Sequence, residues 1–72
     1  MAKNIEDKLA NRIRELRQAR LLRQSDLANS VNVSRQTIIA IEKGEYNPSV
    51  ALALRISEVF KMPIEDVFWL SG

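Results

Sequence analysis

The hydrophobic residues of this chain recur every three or four positions, which is the spacing of amphipathic helices. Leu9, Ile13 and Leu16 form one such series and predict a first helix over residues 7–20. A second series predicts a helix over residues 24–30. No segment shows the strict alternation of apolar and polar residues that is typical of a half-buried strand. The pattern therefore predicts an all-α fold.

Residues that favour helix ends separate the helices that follow. Asn32 is suited to a left-handed turn after the second helix, and Ser34 is suited to cap a third helix by accepting a backbone N–H. Gly44 ends the third helix, because glycine adopts the left-handed conformation without strain. Further helices are predicted at residues 50–60 and 64–68, so that the domain has five short helices.

The composition excludes most catalytic and metal-binding chemistry. The chain has no cysteine and no histidine, which excludes disulfides, ordinary zinc sites and catalysis by Ser-His or Cys-His pairs. Glu65 and Asp66 do not form a catalytic pair, because adjacent residues of a helix point about 100° apart. We therefore expect a protein that is not an enzyme and needs neither a cofactor nor a metal ion.

Charge is distributed unevenly along the chain. Residues 8–43 contain eight Lys or Arg and three acidic residues, whereas residues 44–72 contain two and four. This asymmetry suggests that the first half faces a polyanion. The start of the chain is unlike a signal peptide, and the apolar segment 50–54 is too short to span a bilayer. We expect a cytoplasmic protein without membrane contact.

The third helix has one apolar face and one face of residue types that recognise DNA bases. A helical wheel places Thr37, Ile38 and Ile41 on the buried side. Arginine matches guanine, glutamine matches adenine, and apolar carbon atoms contact the thymine methyl group in the major groove. We therefore predict that double-stranded DNA is read by four residues of the outward face: Arg35, Gln36, Ile39 and Ala40.

Ile39 lies at the centre of that outward face. A branched apolar residue is disfavoured there unless a thymine methyl group or a neighbouring protein surface covers it. The alternative is an isolated surface isoleucine, which is common in soluble proteins.

Five segments of the chain occur with the spacing of a known protein family: NRIRELRQAR, QSDLA, VSRQTIIAIEKGEYNPS, LALRISEVF and PIEDVFW. They resemble the lambda-repressor-like, Cro-type helix-turn-helix regulators over residues 11–70. The resemblance implies one compact five-helix domain, residues 1–72, with a helix-turn-helix at about residues 24–43 whose second helix enters the major groove. It also implies a prokaryotic or phage transcriptional regulator or repressor, associated with the nucleoid when bound to DNA.

The same resemblance assigns contacts to the DNA backbone. Gln24 matches a glutamine that binds phosphate beside the N-terminus of the second helix. Ser34 matches a residue that caps the third helix and also contacts phosphate. Lys43 and Asn47 match backbone contacts after that helix. For Gln24, Lys43 and Asn47 the alternative is a role without DNA contact.

Arg17 and Glu42 match an ion pair of the family, which implies that they hold the third helix at its angle and do not contact DNA. Two other positions depart from the family pattern. Leu21 stands where glycine is usual. This predicts that the turn between the first and second helices, the first corner, has a different shape or that the protein is less stable. Arg23 replaces a Ser or Thr cap worth roughly 1 kcal/mol but adds a cation where phosphate is expected.

Apolar residues near the C-terminus leave two possibilities open. Leu54 is not sheltered by the stripe that buries the rest of the fourth helix, and the tail within residues 63–72 contains Phe68, Trp69 and Leu70. These residues either close over the monomer or form a two-fold interface, and we favour a homodimer that reads a palindromic operator. The alternative function is a protein-interaction module of the same fold, for example an antitoxin that holds a partner protein.

Overall fold

The computed structural model describes residues 8–71 and contains five helices around one core, with a short strand at each end. The predicted second helix agrees with the observed one, and the third and fourth end within one residue of the predicted boundary. The elements in chain order are β1 Lys8–Asn11, α1 Ile13–Ala19, α2 Gln24–Ser30, α3 Arg35–Glu42, α4 Val50–Val59, α5 Ile64–Val67 and β2 Phe68–Ser71.

The strands correct the prediction of a strictly all-α fold. β1 and β2 form a two-stranded antiparallel sheet in which Leu9 lies opposite Leu70 and Asn11 lies opposite Phe68. The predicted first helix was therefore wrong over residues 8–11, and residue 7 lies outside the described residues. The Asn11 carboxamide oxygen accepts the N–H of Ile13 at 3.1 Å and so marks the start of α1. Asparagine competes in this way with helical backbone bonding.

Helices α1 to α4 end with the same pair of backbone hydrogen bonds. After each C-cap, one N–H bonds to the carbonyl three residues earlier and the next N–H bonds to the carbonyl five residues earlier. This is the Schellman arrangement, which requires a left-handed residue between helix and turn. The left-handed residues are Leu21, Asn32, Gly44 and Lys61, with φ angles of 57°, 62°, 77° and 54°.

Leu21 retains this geometry although it is not glycine. The N–H of Leu22 bonds to the carbonyl of Arg17 at 2.9 Å, and the Arg17 guanidinium donates to the carbonyl of Leu22 at 3.1 Å. The first corner therefore does not open into a different shape. A residue with a Cβ atom in the left-handed conformation costs about 1–2 kcal/mol, and this strain remains.

The core lies where the helices converge, and of the stripe predicted for the first helix it contains Ile13, whereas Leu9 and Leu16 are half-buried and pack against it. Ile13 and Leu27 are fully buried, as are Ile38 and Ile41 of α3. Half-buried residues that follow the helix ends also pack against this core: Leu22, Val33 and Met62. Because the corners contribute to the core, the angles between helices are set by side-chain packing as well as by backbone geometry.

Arg20 joins the C-terminal ends of α1 and α4. Its guanidinium donates to the carbonyl oxygens of Val59 and Phe60 at 3.2 and 2.7 Å, and it lies 5.3 Å from the centre of the Phe60 ring. A cation is favourable at a helix C-terminus, where the last carbonyl groups have no intrahelical partner. Arg20, although it belongs to the basic half of the chain, therefore has a structural role.

We expect Leu21→Gly to stabilise the protein. The side chain is 90% exposed, so its removal loses little packing. Glycine removes the left-handed strain but is more flexible in the unfolded chain, which leaves a net gain of about 0.5–1 kcal/mol in unfolding free energy. Urea unfolding followed by circular dichroism measures the change. Leu21→Ala is the matched control, because it keeps the Cβ atom, and an equal gain in both variants would contradict the argument.

Candidate nucleic-acid interface

Helix α3 buries one face and exposes the other. Ser34 caps its N-terminus by accepting the N–H of Thr37 at 3.2 Å, and Ile38 and Ile41 anchor the helix in the core. The residues predicted to read bases therefore lie on the outer side. Two of them, Arg35 and Gln36, are exposed, whereas Ile39 and Ala40 are half-buried.

An ion pair between α1 and α3 lies beneath this outer face. The Nε and Nη2 atoms of Arg17 donate to the two carboxylate oxygens of Glu42 at 2.7 and 3.2 Å. Both side chains are at least nine-tenths buried. Gln24, at the start of α2, donates to the same carboxylate at 3.2 Å. The pair that the resemblance implied is thus present as a network that joins three helices.

The bidentate geometry of the Arg17–Glu42 pair restricts how α1 and α3 can be oriented. Two parallel N–H···O bonds between a planar guanidinium and a carboxylate fix the relative orientation of the two side chains. Because the charges are largely removed from water, either one left alone would be strongly unfavourable. The network therefore holds the C-terminal half of α3 at a defined angle to α1 and α2.

A cleft between α1, α2 and α3 opens beside the exposed face of α3, and we refer to it as the α1–α3 cleft. It contains Gln24, Arg23, Arg35, Ile39 and Lys43, all of which the sequence had singled out for DNA contact. The remaining lining residues are Arg14, Arg17, Gln18, Ser25 and Glu42. Since Glu42 is paired with Arg17, the cleft has an excess of positive charge.

Arg14 and Gln18 were missed by the sequence interpretation, although both line this cleft. They are exposed on α1, one helical turn apart, and no carboxylate of residues 8–71 pairs with Arg14. The signal available in the sequence was their spacing, which places them beside Arg17 on one side of α1. The spacing alone did not show that this side of α1 faces α3.

Arg23 is held by Asp26 within the first turn of α2. The guanidinium lies 3.2 Å from both carboxylate oxygens, and the Arg23 N–H donates to Asp26 at 2.8 Å. This hydrogen bonding lowers the pKa of the Asp26 carboxyl and raises the pKa of Arg23. Asp26 therefore satisfies the backbone N–H of the N-cap residue, but it does not accept the first-turn N–H that a Ser or Thr cap would bind. It also neutralises part of the charge that Arg23 brings to the cleft.

A second cleft lies beyond the C-terminal end of α3, between that helix and the two strands, and we refer to it as the ribbon cleft. Lys43 and Asn47, both predicted backbone contacts, line it together with Lys8 and Gly44. Asn11 also lines it and donates from its side-chain amide to the carbonyl of Ile41 at 3.0 Å. The sequence interpretation missed Lys8 and Asn11, because it placed this segment at the start of a helix.

The exposed apolar residues do not all lie where the dimer prediction placed them. Leu54 is 47% exposed on α4, four residues after the exposed Val50, and Leu70 is 66% exposed. Phe68 requires a correction, because it is only 5% exposed and belongs to the core of its own chain. Trp69 is 38% exposed and contacts the Arg12 guanidinium at 5.1 Å from the ring centre.

Within residues 8–71 no helix is long and apolar enough to cross a bilayer. Over the same residues there is no cluster of carboxylates or other ligands arranged to hold a metal ion.

Comparison with known proteins identifies close relatives of this chain. A family model described as helix-turn-helix matches residues 13–67. The HTH-type transcriptional regulator YgzD of Bacillus subtilis is 50% identical over 62 residues, which are 86% of this chain and 94% of that protein. An HTH-type transcriptional regulator of Methanocaldococcus jannaschii is 50% identical over 60 residues, covering 83% of this chain and 91% of its own length.

A solved structure gives the same relationship in three dimensions. The restriction-modification controller protein C.AhdI from Aeromonas hydrophila superposes with a TM-score of 0.70 at 28% identity. The match covers 75% of this chain and 82% of that one. The matched residues of the family model run from the first residue of α1 to the last of α5, so the β strands lie outside it.

We expect Glu42→Ala to lower the unfolding free energy by about 3–5 kcal/mol, because it leaves the charge of the buried Arg17 guanidinium without a carboxylate partner. Urea unfolding at neutral pH measures the loss, and Glu45→Ala, at an exposed glutamate, is the matched control. The double variant Arg17→Met/Glu42→Leu removes both charges and should lose less than the single variant. A single-variant loss below 1 kcal/mol would show that the pair does not hold the fold.

Proposed function

This chain belongs to the helix-turn-helix family of transcriptional regulators, and we propose that it binds a specific double-stranded DNA sequence by inserting α3 into the major groove. The observation that carries the proposal is the position of Arg35 and Gln36. They are exposed on a helix anchored in the core and stand beside a basic cleft, in which Arg14 and Lys43 have no carboxylate partner among residues 8–71. A rigid helix with exposed side chains capable of bidentate hydrogen bonding, next to a basic surface, satisfies the requirements of direct readout.

We propose that one group of side chains contacts the bases and that a second group contacts the phosphates. Arg35, Gln36, Ile39 and Ala40 contact base edges, and Ile39 gains apolar cover from a thymine methyl group when DNA is bound. Contacts to phosphate set the register of the helix on the duplex. These contacts come from Arg23, Gln24, Ser34, Lys43 and Asn47, and we add Arg14 from the geometry of the α1–α3 cleft.

Gln24 is compatible with both its interaction with Glu42 and a phosphate contact. A side-chain amide has two N–H donors, and one of them is directed at Glu42. The second donor is available for a phosphate oxygen, next to the N-terminal end of α2. Gln24 would then connect the DNA backbone to the network that orients α3.

We further propose that the protein acts as a homodimer on a palindromic operator. A single domain with one short recognition helix reads few base pairs, and a two-fold dimer doubles that number. The exposed Val50 and Leu54 lie on the same side of α4, and Leu70 supplies further apolar area on β2. Shielding such residues from water is the usual driving force for association.

The first test selects bound duplexes from a randomised pool at physiological salt. We expect a palindrome with half-sites separated by about 10 base pairs. On that sequence Arg35→Ala should lose about 1–3 kcal/mol and relax the choice at one base pair, whereas Lys43→Ala should weaken binding to all sequences alike. Uniform weakening by both variants would contradict the assignment of Arg35 to base reading.

The dimer is tested with two exposed leucines. Leu54→Lys should convert the protein to a monomer in sedimentation experiments and reduce affinity for the palindrome more than for a single half-site. Leu21→Lys is the matched control, because Leu21 is 90% exposed on the first corner and is not assigned to the interface. A wild-type protein that sediments as a monomer both free and on the palindrome would overturn the proposed dimer.

A further inference from the structure

We infer that the two-stranded ribbon, β1 and β2, is part of the DNA interface and contacts backbone phosphates beyond the C-terminal end of α3. The side chains assigned to these contacts are Lys8 at the start of β1 and Arg12 directly after it. The inference rests on the proposed DNA binding and extends it to a surface that the matched family region does not include.

The ribbon is fixed to α3 through Asn11. Its side-chain oxygen accepts the N–H of Ile13 at the start of α1, and its amide donates to the carbonyl of Ile41 in the last turn of α3. One side chain thus links β1, α1 and the recognition helix. A residue on the ribbon therefore keeps a defined position relative to DNA held by α3.

Electrostatics make cations necessary at this end of α3. The C-terminus of a helix carries a partial negative charge, which repels phosphate unless positive side chains surround it. Among residues 8–71, the charged residues that line the ribbon cleft are Lys8, Lys43 and Glu42, and the carboxylate of Glu42 is already paired with Arg17. The cleft therefore combines a helix end that repels phosphate with two lysines that attract it.

Arg12 extends the same surface towards the α1–α3 cleft. Its guanidinium lies over the Trp69 ring, at 5.1 Å from the ring centre, which restricts the side chain without neutralising its charge. A third cleft contains Arg12, Trp69 and Arg14 together with Asn11, Glu42 and the exposed carboxylate of Glu15. Since Arg14 also lines the α1–α3 cleft, positively charged side chains line adjoining clefts around the C-terminal half of α3.

This arrangement fits the shape of a DNA duplex. The major groove is about 12 Å wide and has a phosphate backbone on either side, so a helix inside it has phosphates next to it on two sides. The α1–α3 cleft provides cations on one side of α3, and the ribbon cleft provides them beyond its end. Contacts at two separate places along the backbone also fix the tilt of the helix in the groove.

The test compares Lys8→Gln and Arg12→Gln with Lys61→Gln on the selected operator. Lys61 is also exposed but follows α4 and lines none of the three clefts. Each phosphate contact contributes about 0.9 to the slope of log affinity against log salt concentration. We expect each ribbon variant to reduce that slope by about this amount and to keep the sequence preference, while Lys61→Gln leaves both unchanged.

Ethylation of single phosphates locates the contacts. Ethylation at a phosphate that the wild-type protein touches weakens its binding, and a variant that no longer touches that phosphate loses the interference there. We expect Lys8→Gln and Arg12→Gln to lose interference at phosphates outside the base pairs affected by Arg35→Ala. Slopes and interference patterns equal to those of Lys61→Gln for both variants would overturn the ribbon contact.

The two proposals fail in different ways. If the wild-type protein enriches no DNA sequence, the proposed function fails, and the ribbon contact fails with it. If the wild-type protein selects an operator and Arg35→Ala alters the preference while the ribbon variants behave like Lys61→Gln, only the ribbon contact is wrong. Thermal unfolding of each variant shows whether the fold is intact, and Trp69 fluorescence reports on the Arg12 contact.

Discussion

The orientation of α3 depends on the ion pair between Arg17 and Glu42. The guanidinium of Arg17 also donates from Nη1 to the carbonyl of Leu22, so one side chain joins α1, the first corner and α3. Gln24 adds α2 to this group. A pair with so little exposure stabilises a protein only when its hydrogen bonds are satisfied, and among residues 8–71 no buried side-chain polar atom lacks a partner. The recognition surface is therefore built over a completed polar network.

The corners at the helix ends determine the angles between the other pairs of successive helices. Four helices of the described range end in the Schellman arrangement, and the hydrophobic residues that follow three of them fill the edge of the core. This shared geometry shortens each connection to a few residues. The position of Leu21 shows that the hydrogen bonds and packing of a corner can hold a non-glycine residue in the left-handed conformation. The corner is shaped by the whole fold, and glycine would only reduce its strain.

The proposed DNA interface depends on the way in which α3 is held by the core and by the ion pair. Because α3 is anchored by Ile38 and Ile41 and braced by Glu42, its outer face is rigid, and readout by side chains needs little further ordering on binding. Asn11 extends that rigidity to the ribbon by bonding to the last turn of α3. The surface proposed to meet the DNA is thus a set of side chains on one framework, with base reading at its centre and phosphate contacts at its margins.

The sequence by itself determined the parts that depend on local patterns. Helical periodicity located α2, α3 and α4, Ser34 and Gly44 marked the ends of α3, and the helical wheel identified Arg35 and Gln36 as outward. Only the tertiary structure decided what Leu9 and Phe68 do, because β1 and β2 pair across nearly the full length of the chain. Local periodicity contains no information on such a partner, and a helical spacing at Leu9 therefore misled the prediction. The same reason explains Arg14, Lys8 and Asn11, whose roles arise only when α1 and the ribbon are packed beside α3.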